Sequence, residues 1–136
     1  MRILAADDDP VYQVLLRDLL TQWEYDVTVV SDGADAWEVL QSEGAPRLVL
    51  LDWLMPGFDG FELCRMIRQD PSGEGVYIIL LTGSRQKGEI MRVLVAGADD
   101  YLIKPFDPLD LKIRLRAAQR ILDLRELIKN KMHVST

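Results

Sequence analysis

Five short apolar runs recur along the chain, and each is followed by a segment in which apolar residues return every three or four positions. The runs are residues 2–6, Val27 to Val30, Leu48 to Leu51, Val76 to Leu81 and Tyr101 to Ile103. Leu48 to Leu51 and Val76 to Leu81 carry no polar group but the Tyr77 hydroxyl, the pattern of strands buried on both faces. Between the runs, helix starts are marked by capping residues. Asp9 precedes Pro10 and predicts a helix to about Gln22 with Val11, Val14, Leu15 and Leu19 on one face. Ser31-Asp32-Gly33 opens a helix bearing Ala34, Trp37 and Leu40, for which Gly44 is the stop. Asp59 opens another with Phe61, Leu63, Cys64 and Ile67, ending at Asp70-Pro71. Ser72-Gly73-Glu74-Gly75 reads as a flexible surface loop. A helix from about Arg85 to Ala96 carries Ile90, Val93 and Leu94 and stops at Gly97, and Asp107-Pro108 opens the last.

Five strands alternating with five helices imply βαβ crossovers, hence an α/β fold with a parallel sheet and helices on both faces. In such doubly wound sheets ligands bind outside the carboxyl ends of the strands. Asp7 and Asp8, Asp52, Thr82 and Lys104 each stand at the end of a different run, so this architecture brings them to one edge.

Composition adds bounds. A chain of 136 residues, 49% hydrophobic and 28% charged, suits one folded domain with a real core. Cys64 is the only cysteine, which excludes an internal disulfide and a Cys-rich zinc site. No apolar run approaches the roughly 18 residues of a membrane span, and three aspartates interrupt the N-terminal one. A cytoplasmic setting without membrane contact is expected. The charge is divided: residues 1–103 hold 8 Lys/Arg against 18 Asp/Glu, whereas 104–136 hold 8 against 4. The acidic body argues against direct nucleic-acid binding, and the basic count of the tail is what a solvated helix face would give.

Asp52 ends a buried strand, where a charge costs several kcal/mol unless it is solvated, paired or metal-bound. Helix capping does not account for it, because Pro56-Gly57 intervenes and Asp59 is better placed to cap. Asp9 likewise caps its own helix, which leaves Asp7 and Asp8 as a repelling pair. A divalent cation with oxygen ligands would make the three carboxylates tolerable, and Mg²⁺, which keeps waters and accepts phosphate oxygens, fits best. The set lacks His and Cys, against zinc and copper. A lysine and a hydroxyl facing that cation suit a phosphoryl group, and Asp52 is the candidate nucleophile while Asp7 and Asp8 hold the metal.

Asp7-Asp8, the stretch Asp52-Trp53-Leu54-Met55-Pro56-Gly57, Thr82-Gly83, Tyr101 and Lys104-Pro105-Phe106, in this order and spacing, resemble the receiver domain of bacterial two-component response regulators over residues 1–120. The resemblance implies a flavodoxin-like (βα)5 fold with strand order 2-1-3-4-5. It makes Asp52 the phosphoacceptor for a sensor histidine kinase, Asp8, Asp52 and the Leu54 backbone carbonyl direct Mg²⁺ ligands, and Asp7 a supporting acidic position. It makes Thr82 the hydroxyl that moves toward the acyl phosphate, Lys104 the cation bonded to it, Tyr101 the aromatic switch, and Lys104-Pro105 a cis bond. A receiver is a signalling switch that catalyses only its own phosphorylation and dephosphorylation, so any output enzyme would lie outside this chain. The sequence departs from the common pattern at Gly83, where Ala is frequent, and at apolar Leu54, where a polar residue often guides water.

Beyond the receiver, residues 121–136 continue the last helical pattern through Ile121, Leu124, Leu127, Ile128 and Met132. This extension reads as a linker to an output domain absent here, as a homodimer contact, or as a fraying end. His133 lies in it and reads as solvated. Trp53 reads as a partly exposed ring over the metal site. Two other classes share the fold pattern. A Mg²⁺-dependent phosphatase would want a second acid near Asp52, where Trp53 and Leu54 stand, and a flavin module would want a Ser/Thr/Gly loop where Asp7 to Asp9 stand.

Overall fold

A computed structural model of the chain describes residues 1–83 and 87–134, without the side chains of Lys87, Val93, His133 and Val134. The helix start read at Arg85 and the side-chain readings of Val93 and His133 lie outside what is described. The chain forms two compact units, Met1–Pro105 and Phe106–Thr136.

The first unit is built on five parallel strands: β1 (Arg2–Ala6), β2 (Asp26–Val30), β3 (Leu48–Asp52), β4 (Tyr77–Thr82) and β5 (Asp100–Ile103). Their order is β2-β1-β3-β4-β5, the order expected. Every residue of β3 and β4 is buried, as their unbroken apolar runs require. Leu4, Ala6, Val49, Leu51, Ile78 and Leu80 alternate onto one sheet face and pack with Ala36, Met55, Leu63, Cys64 and Ile67.

The connecting helices are α1 (Pro10–Gln22), α2 (Gly33–Gln41), α3 (Gly60–Gln69) and α4 (Lys87–Ala96). Their starts are fixed locally. Asp9 accepts from the Val11 N–H at 2.9 Å, Asp32 from Asp35 at 2.7 Å, and Asp59 from Glu62 at 2.8 Å with Glu62 bonding back. The buried face of α1 differs from the predicted one: Leu16 and Leu20 turn inward while Val11 and Val14 are exposed. The apolar residues of this helix form one broad stripe, with Gln13, Arg17, Asp18 and Thr21 on the other side, so periodicity alone does not say which edge of the stripe faces the sheet, and packing along β1 and β2 decides it.

The loop expected to be loose after α3 is held. Residues 71–73 make a 3₁₀ turn, and a Cβ at Gly73 would come within 2.0 Å of the Ile67 carbonyl oxygen. Arg68 organises this end of the sheet. Its guanidinium donates to the carbonyls of Gly97 (2.8 Å), Gly73 (2.9 Å) and Val76 (2.7 Å), and to Asp99 Oδ2 (2.7 Å). Asp99 Oδ2 in turn accepts from the Ile78 N–H at 2.8 Å. One side chain thus ties α3, the 3₁₀ turn, β4 and the turn before β5.

The second unit is one helix, α5 (Pro108–Val134), whose 27 residues continue unbroken through position 120. Asp107 accepts from the Leu109 N–H at 2.9 Å, the expected start. Leu111, Leu115, Ala118 and Leu122 are buried, while Leu124, Leu127, Ile128 and Met132 are exposed.

Replacing Arg68 removes a charged donor from three carbonyls and a carboxylate, of which the Gly73 carbonyl and Asp99 keep one backbone N–H each. Arg68→Ala is expected to lower unfolding stability by about 2–4 kcal/mol in urea titrations, with Arg68→Lys recovering only part of the loss because an ammonium lacks the planar fork.

Candidate functional site

The strand ends explain where the polar residues go. Leu48 pairs with Ile3 and Leu50 with Ala5, so continuing that register by two residues sets Asp7 beside Asp52 on the same side of the sheet. Asp7 is fully buried and well held: its Oδ1 accepts from the Asp9 N–H at 2.9 Å, and its backbone carbonyl accepts from Gln13 Nε2 at 2.6 Å. Asp8, next along, is exposed. Carboxylate oxygens of Asp7, Asp8 and Asp52 all lie within 4.8 Å of one another.

Lys104 answers this negative charge from the end of β5. Its ammonium lies 2.6 Å from Asp7 Oδ2 and 3.3 Å from Asp52 Oδ1. The backbone positions both residues through β4: the Trp53 N–H donates to the Leu81 carbonyl at 2.9 Å and the Lys104 N–H to the Thr82 carbonyl at 2.7 Å. The Lys104-Pro105 peptide is cis, as expected. Thr82 is buried at the end of β4. Thr82 pairs with Ile103 and Leu80 with Tyr101, so Thr82 and half-buried Tyr101 occupy diagonal positions on one sheet face, opposite in sense to Asp52.

The loop after Asp52 is fastened from below. The Gly60 N–H donates to the Trp53 carbonyl at 2.8 Å, and a Cβ at Gly60 would stand 2.5 Å from the Asp52 carbonyl oxygen. The Gly33 N–H donates to the Pro56 carbonyl at 3.2 Å, and a Cβ at Gly33 would meet the Phe58 carbonyl oxygen at 1.9 Å. Gly57 takes φ +76°, a conformation glycine adopts without strain. Leu54 stands out from this loop, 75% exposed, while Met55 is buried beneath it.

These charges oppose one another. Burial raises Asp52, Lys104 pulls it down, and Asp7 and then Asp8 push it up again, leaving it at about 6. Burial alone would draw Lys104 down, but its hydrogen bond to Asp7 and the charges of Asp52 and Asp7 outweigh that and raise it above the ordinary lysine value. Three convergent carboxylates with no sulfur or nitrogen ligand are a hard oxygen donor set, which fits Mg²⁺.

The sequence profile described as the response regulator receiver domain matches residues 3–116. The chain belongs to the response regulator receiver family. Phosphorylation-activated signalling, and not a classical enzymatic turnover, is what this family does. The phosphate regulon transcriptional regulatory protein PhoB of Rhizobium meliloti is 40% identical over 119 residues, 88% of this chain and 52% of that protein. The chain spans about half the length of the curated relatives it matches. A probable two-component response regulator/GGDEF domain protein of known structure is similar at TM-score 0.84 and 32% identity, over 90% of this receiver and 50% of that chain. The receiver domain of a sensor histidine kinase from Pseudomonas aeruginosa, with a magnesium ion coordinated in its active-site cleft, is similar at TM-score 0.76 and 34% identity, over 90% of this chain and 97% of that one.

Two neighbours of the acidic cluster escaped the sequence reading. The Lys104 ammonium stands 4.0 Å from the centroid of the Tyr12 ring, and Gln13 holds the Asp7 backbone. Both lie in the first turn of α1, where their spacing from Asp8 was visible but their direction was not.

The raised Asp52 value sets a pH dependence. The unfolded carboxyl, with an ordinary value near 4, loses its proton before the folded one, so Asp52 favours the folded state below about pH 4 and that benefit is lost as pH rises through about 6. Asp52→Asn cannot ionise. In metal-free buffer it should be more stable than the parent by about 1–3 kcal/mol at pH 7.5, an advantage that vanishes toward pH 4, read as paired denaturation curves.

Proposed function

We propose that Asp52 is the phosphoacceptor of this receiver and that the acidic edge is its magnesium site. One observation carries the reading: Asp52 closes a three-carboxylate cluster while a lysine ammonium lies 3.3 Å from the same side chain. Asp8, Asp52 and the Leu54 carbonyl are the residues to hold the metal directly, with Asp7 supporting. When bound, magnesium supplies positive charge against the charge that develops on the phosphoryl oxygens. Asp52 attacks in line: a carboxylate oxygen bonds to phosphorus as the bond from phosphorus to the histidine nitrogen of a sensor kinase breaks, and the imidazole leaves with the electron pair. Lys104 then pairs with a phosphoryl oxygen.

Thr82 and Tyr101 carry the change outward. The Thr82 hydroxyl shifts toward the acyl phosphate and Tyr101 turns inward, moving a pre-existing equilibrium of the face formed by β5 and α4, which a partner reads. The acidic receiver body is a poor match for DNA, so the transcriptional role that PhoB's name carries would fall here to an output region. The exposed apolar row of α5 supports its reading as the extension that joins an output domain or pairs with a second copy, with the receiver ending near residue 120. A cytoplasmic setting suits a receiver that takes its phosphoryl group from a sensor kinase and carries a free, buried Cys64.

Incubation with Mg²⁺ and acetyl phosphate is expected to add one phosphoryl mass to the intact protein. The adduct should be absent in Asp52→Asn and when EDTA replaces Mg²⁺; an adduct that survives in Asp52→Asn places the acceptor elsewhere.

Exposed Leu54 offers no group to orient an attacking water, so the acyl phosphate should hydrolyse slowly. Leu54→Asn is expected to shorten its lifetime several-fold in a phosphate-release assay, and an equal or longer lifetime rejects the role of this position.

A further inference from the structure

Among the described residues the Lys104 ammonium has three contacts of two kinds. Asp7 at 2.6 Å and Asp52 at 3.3 Å are charged, and both belong to the carboxylate cluster that a divalent cation would engage. The Tyr12 ring, its centroid 4.0 Å away, is neutral. A cation in the cluster competes with the ammonium for the first two contacts and not for the third. The ring face attracts an ammonium through its quadrupole, and more strongly where water is excluded, as it is around this side chain, which is 14% exposed.

Local structure fixes where that ring lies. Tyr12 is the third residue of α1, whose start is set by Pro10 and the Asp9 cap. Gln13, beside it, bonds to the backbone carbonyl of Asp7 at 2.6 Å, so the first turn of α1 is tied to the strand end that supplies the acidic cluster. The ring is therefore positioned before any ligand arrives.

We infer that Tyr12 is a positioning residue for phosphoryl transfer: its ring face keeps the Lys104 ammonium in the site when the carboxylates are drawn to a metal ion. The inference rests on the reading of Asp52 and Lys104 given above. The hydroxyl is not the working part, so Tyr12→Phe retains the function and Tyr12→Leu loses it. Losing a partly desolvated contact of this kind slows phosphorylation by acetyl phosphate at saturating Mg²⁺ by about five- to thirtyfold. The Mg²⁺ dissociation constant, followed by tryptophan fluorescence, stays within about twofold because no metal ligand changes.

A second readout is independent of activity. In ¹³C-labelled protein the Lys104 ε-methylene resonances, assigned by their loss in Lys104→Arg, are displaced by the ring current of Tyr12. The displacement is expected in the parent and in Tyr12→Phe, with and without saturating Mg²⁺, and is absent in Tyr12→Leu; Tyr12→Met replaces the leucine variant if that one does not fold. Disappearance of the displacement when Mg²⁺ is added to the parent overturns the inference. So does a Tyr12→Phe variant as slow as Tyr12→Leu, or a Tyr12→Leu variant as fast as the parent. A parent that gains no phosphoryl mass refutes the phosphoacceptor reading instead, and the methylene resonances still report whether the ring holds the amine.

Discussion

Two buried carboxylates sharing one ammonium are the constraint on which the receiver's working edge depends. Asp7 is fully buried and Asp52 nearly so, and neither charge would be tolerated at the end of an apolar strand without compensation. Lys104 supplies it from 97 positions beyond Asp7 in the chain. The compensation is incomplete, which is why Asp52 is held above the ordinary carboxylate range even with a cation beside it. That residual imbalance favours whatever positive charge comes next, and a divalent metal fits the same oxygens.

The sheet makes the encounter possible, and its strength lies in parts that have no chemistry. Buried β3 and β4 fix the strand ends, and the Arg68 network fixes the opposite end of the sheet. Gly33 and Gly60 lie so close to the loop after Asp52 that no side chain could be inserted between them and it. The loop that carries Leu54 is thus packed from beneath while its outer side faces solvent, and the exposed side chain at position 54 can vary without moving Asp52 or the acidic cluster.

Much of this was legible in the sequence because the signals were local. Asp9, Asp32 and Asp59 announced helix starts through side chains that bond only two or three residues away. The unbroken apolar runs announced β3 and β4, and the alternation of elements placed Asp7, Asp52, Thr82 and Lys104 at one edge. The illegible parts depend on direction or on distance along the chain. Tyr12 could have faced solvent on a helix whose apolar stripe is broad, and the same ambiguity exchanged Val11 and Val14 for Leu16 and Leu20 in the core. Arg68 reaches Asp99 across 31 positions, a pairing that no periodicity encodes, so the loop it fastens looked free.

The placement of β4 between the strands that end in Asp52 and Lys104 has a consequence for amino-acid choice. Neighbouring strands are about 4.8 Å apart, so the two chain positions are separated by roughly 10 Å, the width of an intervening strand. Main-chain bonds from Trp53 and Lys104 to consecutive carbonyls of β4 act as a gauge that keeps this span constant whatever side chains fill the core. Only a long, flexible cation can bridge such a gap to end on a carboxylate. The topology, more than the chemistry of the phosphoryl group, thereby requires a long base at this place, and a shorter one such as histidine would fall short even in an otherwise unaltered cleft.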